Sequence, residues 1–309
     1  MPTDRPVSRP ALPAAVSTLV AEAVQGERVA ATVLAAHRYA LYLSVRGSVL
    51  PVVTSDAVAL PTAVRLGAPA GAVSWGVDTG DEVLVGGGRV SLPGCDVVAA
   101  RTWRPARVRD GVATVGCSGG RRGNRLSTQL ELSASGGESG WLADGIHDVV
   151  SGVGCSGGRQ GSHLGTQLAD AVSGLVGRGP GLTPSGDDAL AGALLVTHAL
   201  GAGHALADAV RARLGATTAV SAALLDAAAD GYAARPVVTL VDAAVATDLA
   251  GVRRALPAVL AIGHTSGADT VIGIRAALAS LTPRHECGSG CQGDHVRTHG
   301  GKKTGRSAA

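Results

Sequence analysis

The chain has no phenylalanine, and its 309 residues include only three tryptophans, three tyrosines and one methionine. Any core it builds must therefore be aliphatic, and it offers no aromatic platform on which nucleic-acid bases would stack. Lysine is equally scarce. All but two of the 27 basic residues are arginine, a bias that goes with the Ala and Gly excess and carries little functional weight. The net charge of +3 is local: Arg284, Arg297, Lys302, Lys303 and Arg306 outweigh Glu286 and Asp294, and residues 1–283 are neutral. A neutral body lacks the phosphate-neutralising face on which nucleic-acid affinity depends. Five cysteines are too few for a disulfide framework and, being odd in number, fit reduced thiols. Long apolar runs are missing too. The stretch near 189–200 is interrupted by Thr197 and His198 and is too short to span a bilayer, and residues 1–15 carry Asp4 and four prolines instead of a secretory core. These features read as a cytoplasmic protein that engages neither membrane nor nucleic acid.

What is present, 46% apolar residues, suffices for two packed units. Val16, Leu19, Val20, Ala23 and Val24 recur at helical spacing ahead of Gly26, which predicts an N-terminal helix within residues 1–27. From 28 to 105 the pattern changes to short β-rich runs (VAATVL, YALYLSV, VLPVVT, EVLV, RVSL), with Gly86-Gly87-Gly88 as a hairpin turn. No helix-length segment separates most of them, so they predict a small antiparallel sheet or barrel. Residues 106–170 are glycine-rich and hold a duplication, VGCSGGRRGNRLSTQL at 115–130 and VGCSGGRQGSHLGTQL at 153–168. A flexible connector is favoured there over a paired anion loop using Arg121 and Arg159. Residues 171–283 are Ala-rich and helical, with stripes Leu206, Val210, Leu214 and Val220, Leu224, Ala228. Beyond them, 284–309 has no apolar period and reads as a disordered basic tail. Its Cys287, Cys291, His295 and His299 suit zinc by type but lack the long loop of finger patterns. The expected class is α+β: a small antiparallel β-rich domain followed by a helical one.

The chemistry concentrates in GRGPGLTPSGDDALAG at 177–192. Gly177, Gly179 and Gly181 allow close backbone approach, and Thr183, Pro184 and Ser185 are helix-start residues, so the run predicts an anion cradle with Gly186 at a helix N-terminus. Asp187 and Asp188 in the first turn would repel an anion unless they bind a cation, accept from a substrate amide or act as a base. The pattern Ser-Gly-x-Asp-x3-Gly returns as Ser266, Gly267, Asp269 and Gly273 after Gly263, His264 and Thr265. Two such helix starts could face each other across one site and hold the ends of a small dianion, with His264 as a donor. Thr217, Thr218 and Ser221 read first as helix caps, with hydroxyl contacts to ligand from Thr217 and Ser221 as the sharper alternative.

In order and content, GRGPGLTPSGDDALAG, TTAVSAALLDAAADG at 217–231 and GHTSGADTVIG at 263–273 resemble the AllH family, over 171–281 and more loosely over 28–105. That resemblance implies a subunit of oxamate carbamoyltransferase, working with other subunits on oxamate and carbamoyl phosphate in allantoin breakdown. Such chemistry needs a phosphate site, a carboxylate site, oxyanion donors and a base near nitrogen, with no covalent nucleophile and no required cofactor. Asp187 or Asp188 is the candidate base and His264 the donor. A non-catalytic assembly subunit is the alternative. So is a phosphoryl-transfer enzyme holding Mg²⁺ through Asp187, Asp188 and Asp269.

Overall fold

The computed structural model describes residues 9–110, 140–153 and 161–281. The β-rich segment folds into eight strands: β1 (Ala11–Ser17), β2 (Val29–His37), β3 (Ala40–Val45), β4 (Ser48–Val53), β5 (Val64–Leu66), β6 (Glu82–Gly86), β7 (Arg89–Ser91) and β8 (Asp96–Trp103). They close into a barrel in the order β1-β5-β4-β3-β2-β6-β7-β8. The expected small antiparallel β-rich domain is thereby corrected. The ring is closed and mixed, because β1 pairs with β8 and β4 with β5 in parallel. Alternation places Val16, Leu41, Leu43, Leu50, Val52, Val64, Leu66, Val85 and Val97 in the interior, where aliphatic side chains fill the barrel. The triple glycine does form the β6–β7 hairpin. Gly87 (φ 60°) and Gly88 (φ 76°) take the two left-handed positions of a type I′ turn, which side chains disfavour.

The N-terminal helix is also corrected. Val16 belongs to β1, inserted between β5 and β8, and only α1 (Ala21–Gln25) is helical. Pairing on both edges outweighs the weak helical period, and Gly26 has an ordinary negative φ of −69°.

The second unit is helical: α2 (Gly140–Val153), α3 (Gly161–Ser173), α4 (Ser185–Ala199), α5 (His204–Arg211), α6 (Ala219–Ala229), α7 (Arg235–Val245), α8 (Leu249–Leu260) and α9 (Ser266–Leu281). Helix thus begins before 171, and the second copy of the duplication runs into α3; the first copy, Arg121, Arg159 and the Cys/His tail lie outside the described residues. Helices α4 and α9 are apolar nearly all round and pair along the centre, wrapped by α2, α6, α7 and α8. On α5, Leu206 and Val210 are buried as the stripe predicts, whereas on α6 the inward residue is Leu225 and Leu224 is only half-buried. Among the described residues, no helix is long and apolar enough to cross a membrane.

Candidate functional site

Helices α4 and α9 cross at the two glycines that end the repeated pattern. A Cβ at Gly192 would run into the Thr270 carbonyl, and one at Gly273 into the Ala189 carbonyl. Only hydrogen side chains allow this approach. The contacts are reciprocal, so the two Ser-Gly-x-Asp-x3-Gly segments are equivalent partners, and their starts come together. Thr183 Oγ1 and Ser266 Oγ are 2.9 Å apart.

Asp187 and Asp188 sit in different surroundings. Asp187 is 1% exposed and accepts from the Gly177 N–H at 2.8 Å, from Ser221 Oγ at 2.7 Å and from Thr217 Oγ1. These donors fasten the glycine loop and the start of α6 to α4. Thr217 and Ser221 are therefore spent on Asp187, while Thr218 caps α6 by accepting from the Ser221 N–H and donates to the Leu182 carbonyl.

Asp188, 9% exposed, is bonded by the hydroxyls of Ser266 and Thr183, but its Oδ2 is buried without a partner. Asp269, its equivalent on α9, is 7% exposed and has a buried Oδ2 in the same condition. Burial pushes the Asp188 carboxyl up to about 7, with the Asp269 charge adding to the rise against the two hydroxyl hydrogen bonds.

The leading amides of α4 are largely committed. The Gly186 N–H goes to the Arg178 carbonyl and those of Asp187 and Asp188 to the Pro184 carbonyl, leaving Ser185 N–H. At α9 the Gly267 N–H goes to the Ile262 carbonyl and that of Asp269 to Thr265. Positive charge comes instead from Arg178, whose guanidinium lies 4.1 Å over the Trp141 ring. Arg178 is exposed and forms no ion pair among the described residues. In the sequence Arg178 is one arginine among many, and its place between Gly177 and Gly179 is the signal that singles it out. Gly177, Gly179 and Gly181 all have positive φ, and a Cβ at Gly179 would collide with the Ser185 nitrogen. His264 and Thr265 are exposed on the turn before α9. No group of three His, Cys, Asp or Glu side chains among the described residues is placed to hold a metal, and Asp187 has its oxygens occupied.

No solved structure matches the chain. Residues 175–278, which run from the glycine loop into α9 and contain the whole of this arrangement except Trp141, match the family model described as oxamate carbamoyltransferase subunit AllH, and over that third of the chain the protein is similar to that family.

Proposed function

We propose that this chain is the site-bearing subunit of a carbamoyltransferase that joins oxamate and carbamoyl phosphate to give oxalurate and phosphate, assembled with other subunits. One observation carries the reading: of two adjacent aspartates, one is saturated by three donors and the other is buried with a free oxygen and a carboxyl balanced near neutrality. In the reaction the amide nitrogen attacks the carbamoyl carbon, the bond to phosphate oxygen breaks, and the nitrogen must lose a proton. Asp188 in its ionised form is the acceptor, reached directly or through the Thr183 and Ser266 hydroxyls. Arg178 and the Ser185 N–H are the anion ligands at the loop, and His264 is a further donor at the rim.

The test is turnover of oxamate with carbamoyl phosphate by the complex reconstituted with its partner subunits. Asp188→Asn is expected to lower kcat by about 100-fold or more, and Arg178→Gln to raise KM for the anionic substrates. A wild-type complex inactive on this pair would overturn the substrate assignment, and normal turnover by Asp188→Asn would leave Asp188 a structural residue.

A further inference from the structure

The outer wall of the barrel carries a second polar feature, far in sequence from the α4–α9 crossing. Register sets Arg65 of β5, Ala15 of β1 and Arg101 of β8 in one row, since Ala15 pairs with Arg65 on one side and with Arg101 on the other. The flanking residues Ala14, Val16, Val64 and Leu66 point into the barrel core, so this row faces outward. With strands about 4.8 Å apart, the two arginine Cα atoms stand roughly 10 Å from each other, with the Ala15 methyl as the floor between them.

A β-bulge makes the row. Pairing runs from Ala14 with Ala99 directly to Ala15 with Arg101, leaving Ala100 without a partner on β1. In an unbroken register Ala15 would face Ala100 and Arg101 would turn toward the interior; bulges recur where a side chain is re-aimed in this way. The result is a cleft of about 340 Å³ lined by Ser55, Arg65, Gly67 and Arg101 above Ala14 and Ala15, with no carboxylate on its walls. Neither arginine has an ion-pair partner among the described residues. Arg65 Nε is buried without an acceptor, and the Arg65 guanidinium lies 5.8 Å over the Trp103 ring.

We propose that this cleft binds a small dianion, a phosphate ester or a dicarboxylate, gripped between Arg65 and Arg101 with the Ser55 hydroxyl as a further donor. Two guanidinium groups match two negative charges and supply paired charge-assisted hydrogen bonds. The volume suits a small molecule.

Trp103 makes the site readable. In the full chain carrying Trp141→Phe, which silences the ring under Arg178, inorganic phosphate and malonate are titrated separately at constant ionic strength while tryptophan fluorescence is followed. A saturable change is expected with at least one of them. Saturation by phosphate alone assigns the site to phosphate esters, and by malonate alone to dicarboxylates. Arg65→Gln and Arg101→Gln are each expected to weaken the apparent affinity by about tenfold, equivalent to about 1.4 kcal/mol. The proposal is overturned if neither anion saturates, if chloride reproduces the change, if the signal survives Trp103→Phe, or if Arg101→Gln, a change at an exposed side chain, leaves the isotherm unmoved. The cleft lies outside residues 175–278, so this outcome is independent of the transferase reading.

Discussion

Adjacent aspartates in one helical turn differ because a helix turns about 100° per residue and so presents them to different neighbours. Asp187 meets three donors; removing it in Asp187→Ala leaves the buried Ser221 hydroxyl and the half-buried Gly177 N–H and Thr217 hydroxyl without their acceptor. The expected cost is about 3 kcal/mol or more, read as a lower midpoint in urea. Asp188 meets Asp269 and an apolar interior, and its carboxyl rises to about 7 from an ordinary 3.8. The folded state favours the protonated form, so the stability it contributes is complete below about pH 4 and is lost as pH climbs through 7, by at most about 4 kcal/mol. Wild-type melting temperature is expected to fall over that range more steeply than that of Asp188→Asn; parallel curves would contradict the raised value. Catalysis runs the other way. The base must be ionised, so kcat/KM should rise with pH to a plateau above about 7, and Asp188→Asn should lose that limb. The Asp-Asp pair and its repeat at Asp269 were legible in the sequence as chemistry, but which carboxylate would be satisfied was not, because the deciding donors lie 10, 30 and 34 residues away.

At the scale of elements, the crossing of α4 and α9 depends on what glycine lacks. Gly273→Ala and Gly192→Ala each drive a methyl into a carbonyl of the facing helix, and each is expected to cost about 3 kcal/mol or more as the pair is forced apart. Gly165 in α3 has open space around it, so Gly165→Ala is expected to stabilise by about 1 kcal/mol through helix propensity alone. Chemical denaturation of the three variants checks both signs, and equal effects would refute the crossing. The anion cradle anticipated from glycines and helix starts is modified at this scale. A backbone N–H is free only if no carbonyl reaches it, and the carbonyls of Arg178 and Pro184 reach three of the first four in α4.

At the scale of the whole molecule, the apolar side chains among the described residues form two main cores, one inside the barrel and one among the helices, joined where Val108 and Arg107 dock on the Gly231 turn. Separate cores predict two calorimetric transitions. Leu43→Ala should lower only the barrel's, by about 2–5 kcal/mol, and Asp187→Ala only the other; one transition shifted equally by both would refute this. By itself the sequence determined what is local or periodic: the strand runs, the Gly86–Gly88 hairpin, the apolar helices, and the repeated Ser-Gly-x-Asp-x3-Gly with its family resemblance. Only the tertiary structure decided what joins distant segments. Those are the parallel seams that close the barrel and draw residues 11–17 into a strand, the pairing of Asp188 with Asp269, and the bulge that turns Arg101 outward. The physical reason is the same in each case. Period and propensity are written in neighbours along the chain, whereas closure, burial and charge coupling depend on partners that meet only after the chain has folded.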